Sequence, residues 1–271
     1  MCSGIKYKIC YIGIDFLDEA LKVLLERSDV EIIKIFTCKT DNVTEFNTEV
    51  CRLARENAIP LQLEKINETD LQEMYSLGCN LVISSGYYYK IPVLDCFPMI
   101  NIHPALLPVG RGAWPMPISI MRGFRESGIT IHKINDSLDC GDIIVKESFE
   151  VSPKENLISF MKKDAIAIRK ALNILLDDFE TYYNNAVPQG EGEYWEMPSR
   201  QDYSVSTDMP DEKIDLVLRA YYSYEVYLSD GNREYELIFG RLVGERPAGS
   251  DYFVTRDSSY IVYEQIREVS C

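Results

Sequence analysis

The sequence predicts an α/β fold: a Rossmann-like, doubly wound, mostly parallel sheet followed by a small, mainly β C-terminal module. Two observations carry this. In the first half, short and continuously apolar runs alternate with stretches of helical period, the pattern of a parallel sheet covered on both faces. Beyond residue 200, short strand-like runs with turn signals follow a single amphipathic helix.

Tyr7–Ile14 (YKICYIGI) reads as a buried strand by its β-branched and aromatic content. Phe16–Arg27 places Leu17, Ala20, Leu21, Leu24 and Leu25 at helical spacing. Glu31–Thr37 is a second strand, Thr44–Asn57 a second helix and Thr69–Leu77 a third. Asn80–Ser85 and Pro98–His103 are further apolar strands, and Ile129–Ile134 alternates as a half-buried one. Ser152-Pro153-Lys154-Glu155 reads as a capping box with Pro at the first helical position, opening a helix to about Asp178. Asn184–Glu196 is polar and glycine-containing, a connecting loop. A helix at Asp211–Tyr221 precedes strand-like runs at Tyr224–Leu228, Glu234–Phe239, Tyr252–Thr255 and Tyr260–Tyr263, with Asp230-Gly231 as a hairpin turn. The expected division is residues 1–183 as a catalytic domain, 184–200 as a linker and 201–271 as the strand-rich module.

Composition narrows the function classes. The 271 residues carry 28 Lys and Arg against 43 Asp and Glu, a net charge of −15. Nucleic-acid binders cluster basic residues against phosphates, so this balance argues against a tRNA or DNA partner. No stretch reaches the ~20 apolar residues of a membrane span, and Met1–Lys6 carries no signal-peptide pattern. The eight cysteines form no CxxC pair, and several sit in apolar runs. Free thiols in a reducing, cytoplasmic setting are expected. The turn after the first strand, Ile12-Gly13-Ile14-Asp15-Phe16-Leu17, holds one glycine where a dinucleotide fingerprint needs three, and no GxxxxGK[ST] is present.

The chemistry-bearing residues concentrate in one block. The only two histidines, His103 and His132, flank it. It reads Asn101-Ile102-His103-Pro104-Ala105-Leu106-Leu107-Pro108, then Gly110-Arg111-Gly112, Gly128-Ile129-Thr130-Ile131-His132 and Asp139-Cys140-Gly141-Asp142-Ile143. Alternation along a strand puts Asn101 and His103 on one face, at the carboxyl end of a strand where open α/β sheets bind ligands. Acyl transfer to an amine needs donors at the developing oxyanion and a proton acceptor for the attacking nitrogen. Asn101 can donate an amide N–H. His103 can donate and shuttle a proton, and Asp139 would favour its imidazolium. Each residue alone also has a bland reading, as a core histidine or a turn residue. His132 reads more readily as a pocket wall than as a catalytic group. Metal-ligand spacing is absent, so no metal is expected.

The ordered set N-x-H-P-x-L-L-P, R-G, G-x-T-x-H and D-x-G-x-I resembles the folate-dependent formyltransferase family, which includes glycinamide ribonucleotide transformylase, methionyl-tRNA formyltransferase and the sugar N-formyltransferases. Two departures are Ala105, where many relatives have serine, and Trp114, where the tRNA enzymes carry a smaller residue; neither touches a matched catalytic position. The resemblance implies that Asn101, His103 and Asp139 are catalytic and that 10-formyltetrahydrofolate is the donor. Its pterin would lie between the loop after the fourth strand, with Gly86, Tyr87, Tyr88, Tyr89 and Ile91, and the loop holding Leu138 and Asp142. Pro108, Gly110, Arg111, Gly112 and Trp114 are the candidates for contact with the acceptor amine. That acceptor is read as a nucleotide-linked amino sugar, because the segment Cys38–Glu45 is short and not basic and the protein is acidic. The alternatives are methionyl-tRNA formyltransferase and an inactive folate-binding relative. The strand-rich module is, by analogy, a candidate homodimer surface.

Overall fold

Alternation along one strand decides the layering. In the computed structural model, which describes residues 4–40, 46–249 and 251–269, the first strand is β1 (Tyr7–Gly13), followed by a 3-10 turn at Asp15–Leu17. The chain continues through α1 (Glu19–Glu26), β2 (Val30–Phe36), α2 (Thr48–Glu56), β3 (Leu61–Gln62), α3 (Glu68–Ser76), β4 (Leu81–Ser85) and β5 (Met99–His103). Next come β6 (Val109–Gly112), α4 (Pro115–Met121), β7 (Glu126–Lys133), β8 (Ile143–Glu150), α5 (Leu157–Asp177) and α6 (Phe179–Asn184). Ile9 and Tyr11 of β1 join one core with Leu21 and Leu24 of α1 and Leu172 and Leu175 of α5. Cys10 and Ile12 point the other way, into a second core with Leu71 and Met74 of α3. Both faces of the strand are dry, which is why it reads as continuously apolar.

The large sheet has seven strands in the order β3-β2-β1-β4-β5-β7-β8. Pairings among β3, β2, β1, β4 and β5 are parallel, and β7 runs antiparallel to β5. The expected Rossmann-like, mostly parallel sheet is what the chain forms, with its order reversing between β1 and β4. The register of the antiparallel pair sets Asn101 opposite His132 and His103 opposite Thr130.

The remaining elements are β9 (Glu193–Trp195), β10 (Ser204–Ser206), α7 (Asp211–Ala220), β11 (Val226–Ser229), β12 (Glu234–Ile238), β13 (Arg241–Val243), β14 (Phe253–Val254), β15 (Tyr260–Val262) and β16 (Gln265–Glu268). They form a four-stranded sheet, β10-β11-β12-β16, and a three-stranded sheet, β13-β15-β14. In the β11–β12 hairpin the Asp230 carboxylate accepts the N–H groups of Asn232 and Arg233 at 2.8 Å each. Contacts divide the chain into two compact units. The first comprises residues 1–112, 128–149 and 163–194; the second comprises 113–127, 150–162 and 195–271.

Several elements differ from the sequence expectation. The helix expected from Ser152 begins at Leu157. Asn156 is its cap, exchanging bonds with Ser159 in both directions at 2.9 and 3.1 Å. The Glu155 carboxylate instead accepts the Ser152 N–H within the preceding turn. The helix Thr44–Asn57 is seen as Thr48–Glu56: Thr44 and Glu45 lie outside the described residues, Phe46 is not helical and Asn47 is the N-cap. Strand β8 and the short elements β3, β6, α4, α6, β9, β10, β13 and β16 are additional. In β6, Val109-Gly110-Arg111-Gly112, and in α4, with Pro115 and Pro117, glycine and proline hide the periodicity. The described cysteines are free, with Cys10, Cys38 and Cys79 buried; Cys2 and Cys271 lie outside the described residues. No helix among the described residues is long and apolar enough to cross a membrane.

Candidate active site

β5 ends on Asn101-Ile102-His103, and the irregular segment after it is pinned rather than loose. The Thr130 hydroxyl on β7 donates to the Ala105 carbonyl at 2.6 Å and accepts the Leu107 N–H at 3.1 Å. A cis bond joins Leu107 to Pro108. Gly110 and Gly112 both have positive φ, at 83° and 100°, a backbone that L side chains rarely adopt. This path returns the Gly110 carbonyl to His103 and the Gly112 N–H to Asp139.

His103 is 4% exposed. Its Nε2 lies 2.7 Å from the Gly110 oxygen; a carbonyl only accepts, so Nε2 carries the proton and donates. Burial lowers the imidazole below its ordinary value, outweighing the opposite pull of Asp139 and of the Gly110 bond. His103 is therefore neutral at neutral pH, and its Nδ1 holds a free lone pair 3.7 Å from Asp139 Oδ1.

Asp139 sits in the left-handed region, φ 52°. Its Oδ2 accepts the Gly112 N–H at 3.0 Å. Its Oδ1 faces His103, Asn101 Nδ2 at 3.4 Å and His132 Nε2 at 3.5 Å. Burial alone would raise this acid, but its coupling to His103 and His132, whose rings gain from its negative charge when they take up a proton, and the Gly112 N–H leave it below the ordinary carboxylate value. It is a buried carboxylate held ionised. Asn101 Nδ2 also lies 3.2 Å from His132 Nε2. His132 Nδ1 donates to the Lys133 carbonyl at 2.8 Å, so Nε2 is the acceptor for Asn101. The expected trio thus meets at one buried junction, with His132 as a fourth member.

The other expected residues divide. Pro108 accepts the Glu193 N–H at 3.0 Å. Arg111 donates from Nε to Gln189 at 3.0 Å and from Nη2 to the Gly190 carbonyl at 2.9 Å, so two of its donors are engaged. Trp114 packs edge-on against Tyr224 and Tyr221 of the second unit, ring centroids 4.5 and 5.7 Å apart. The Tyr87 hydroxyl accepts the Ile66 N–H at 3.1 Å, while Tyr88 and Tyr89 are exposed and Ile91 is buried. Gly86 has φ 73°. The loop after β4 and the loop after β7 approach one another, since Lys90 Nζ lies 4.0 Å from Asp136 Oδ1. Leu138 is exposed, and Asp142 Oδ2 accepts from Lys133 Nζ at 3.4 Å.

Sequence reasoning missed Gln189 and set His132 aside. Only the antiparallel register of β5 and β7 reveals His132, by placing it opposite Asn101. Gln189 stands 50 residues from Asp139 in a polar segment that carries no periodic signal, yet its Nε2 donates to the Asp139 and Gly141 carbonyls at 2.9 and 2.7 Å. Among the described residues, no group of three or more His, Cys, Asp and Glu is arranged to hold a metal ion.

Comparison with known proteins bears on the same residues. The family model described as formyl transferase matches residues 17–173, a stretch holding Asn101, His103, His132 and Asp139. A curated relative, methionyl-tRNA formyltransferase of Anaplasma marginale, is 30% identical over 179 residues, covering 64% of this chain and 58% of that protein. The chain therefore spans less than two thirds of that relative's length. HypX from Aquifex aeolicus, solved in complex with tetrahydrofolic acid, superposes with a TM-score of 0.71 at 18% identity, over 97% of this chain and 44% of that one. The N-formyltransferase from Helicobacter canadensis, solved with folinic acid and dTDP-3-aminofucose, gives a TM-score of 0.63 at 17% identity, over 95% of this chain and 99% of that one. These two likenesses show the fold.

Proposed function

The chain belongs to the formyl transferase family, and from that premise we propose that it moves a formyl group from 10-formyltetrahydrofolate to a primary amine, the amino group of a nucleotide-linked amino sugar. The observation that carries the reading is the buried junction at which Asn101, His103 and Asp139 converge.

The donor supplies a formyl carbon open to attack. As the amine nitrogen bonds to that carbon, negative charge gathers on the formyl oxygen and needs a donor aimed at it. Asn101 Nδ2 supplies one. Its 3.4 Å bond to Asp139 is long and readily redirected, while the His132 bond fixes the amide. The attacking nitrogen must lose a proton, and neutral His103 accepts it at Nδ1. The imidazolium so formed faces the Asp139 carboxylate, which offsets the cost of a buried cation. His103 then returns the proton to the leaving folate nitrogen, closing the cycle without net proton change on the protein. These groups lie within residues 1–183, the segment read as the catalytic domain.

The residues present fit the donor. Gly86, in a left-handed turn against Ile14 and Leu17, offers backbone without a side chain, and Leu138 presents an apolar side chain to solvent in the other loop. A flat ring read by backbone groups suits such a pair of segments.

The net charge of −15 supports a small acceptor over tRNA, because counterion release needs clustered cations. Part of the short segment after β2, residues 41–45, lies outside the described residues, so its contribution stays at the level of sequence. A second reading, formylation of an aminoacyl-tRNA, draws on the 30% identity to a methionyl-tRNA formyltransferase. The test supplies the protein with 10-formyltetrahydrofolate and either an amino-sugar nucleotide or methionyl-tRNA, following tetrahydrofolate release. Turnover with the sugar and none with tRNA is expected. Formylation of tRNA alone sinks the sugar reading, and donor binding without turnover on any amine sinks the enzyme reading.

A further inference from the structure

We propose that Gln189 is a positioning residue for Asp139, its side-chain amide holding the turn that aims the Asp139 carboxylate at His103 and Asn101. This rests on the formyl-transfer reading above and adds to it a group from outside the expected catalytic segment.

Gln189 uses both ends of its side chain. Nε2 donates to the carbonyls of Asp139 at 2.9 Å and Gly141 at 2.7 Å, bracketing Cys140, and Oε1 accepts from Arg111 Nε at 3.0 Å. It thereby ties the loop carrying Asp139 to the segment carrying Gly112, whose N–H binds the Asp139 carboxylate at 3.0 Å. The backbone around Gln189 is itself anchored to the same two segments. Val187 and Ile143 exchange N–H···O bonds at 2.8 Å, and Glu193 donates to Pro108 at 3.0 Å. A Cβ on Gly192 would lie 2.3 Å from the Pro108 carbonyl, so the strap lies flat against that segment.

Asp139 gains most from such a clamp. A non-glycine residue at φ 52° returns to ordinary backbone unless its surroundings hold it. A Cβ on Gly141 would lie 1.8 Å from the Lys133 carbonyl, so the turn is walled there. Gln189 holds the turn's own carbonyls, at Asp139 and Gly141. If the turn relaxes, the 3.7 Å separation of Asp139 Oδ1 and His103 Nδ1 grows, and a displacement of about 1 Å in such a site costs about a hundredfold in rate.

The test uses Gln189→Met, which keeps length and loses every hydrogen bond, and Gln189→Glu, which keeps an acceptor for Arg111 but loses both donors. Two readouts are taken: steady-state formyl transfer, and ring-proton NMR titration of the histidines, of which the chain has two. The titratable groups facing His103 are Asp139 and His132. Asp139 raises the His103 pKa, so loosening it moves the titration, and the acidic limb of kcat/KM, to lower pH. Folded Gln189→Met is expected to lose about ten- to a hundredfold in kcat with KM for the folate within about twofold, and to titrate His103 at lower pH. Gln189→Glu is expected to lose kcat similarly. Parental kcat and an unmoved His103 titration in either folded variant overturn the proposal. Should the parent protein formylate no amine, the reaction reading falls by itself, and the Gln189→Met titration still decides the clamp.

Discussion

The proposed role of His103 rests on what the residue cannot easily do. Its Nε2 proton is committed to Gly110, and burial keeps the ring neutral, so Nδ1 is left able to accept the proton that the proposed reaction releases. Because the folded pKa lies below the ordinary imidazole value, kcat/KM is expected to rise with pH along an acidic limb centred below about 6.5 and then to plateau. An inflection above that value would reassign the base. Replacing His103 or Asp139 by alanine should lower kcat by about 10²–10⁴-fold, with thermal unfolding showing a folded protein. Near-parental rates would remove the residue from the mechanism. Asp164, far from this chemistry in sequence, is fully buried on α5, and neither carboxyl oxygen has a hydrogen-bond partner. Burial raises its pKa well above the ordinary value. A raised folded pKa means that its contribution to stability is fully present below about pH 4 and is lost as pH climbs through the folded pKa. Asp164→Leu should therefore stabilise the protein by about 1–3 kcal/mol at neutral pH, with a smaller gain near pH 4, read by urea unfolding at both pH values. A loss of stability at both pH values would refute this account.

At the scale of elements, turns and caps decide what a periodic pattern leaves open. Asn101 and His103 are legible in the sequence because two residues along a strand return to one face. Asp139 is not reachable that way, and only the motif joins it to them. His132 becomes a partner of Asn101 through the antiparallel pairing of β5 with β7, and the intervening β6 and α4 are too rich in glycine and proline to announce where the chain reverses. The start of α5 lies beyond the one the sequence pattern suggests for a related reason. Two Ser/Asn-plus-partner patterns stand four residues apart, and sequence alone does not say that Glu155 closes a turn while Asn156 caps the helix. Asn156→Ala should cost about 1 kcal/mol by removing the acceptor for the Ser159 N–H, whereas Ser152→Ala should cost less; denaturant midpoints measure both. The reverse order would restore the cap to Ser152.

For the molecule as a whole, the parallel sheet was the most legible feature, because strands buried on both faces cannot hide their apolar character, as Ile9 through Ile12 show on the two cores. The grouping of residues 113–127 and 150–162 with the C-terminal segment, seen in the bonds of Lys154 and Glu155 to Asp215 and Arg219 of α7, was not legible, since it depends on contacts between segments far apart in sequence. Net charge acts at this scale too. With −15 on 271 residues, self-repulsion opposes the compact state. Raising salt from about 10 to about 150 mM shortens the screening length from about 30 to about 8 Å, and should raise the unfolding midpoint by about 2–4 °C, equivalent to about 1 kcal/mol. A fall would mean that surface ion pairs outweigh repulsion. The strap around Gln189 also has a consequence for biosynthesis. Translation delivers Asn101, His103, His132 and Asp139 before the side chain that braces their junction, so a nascent chain halted near residue 180 would carry every acid and base of the site with the aspartate turn still unbraced.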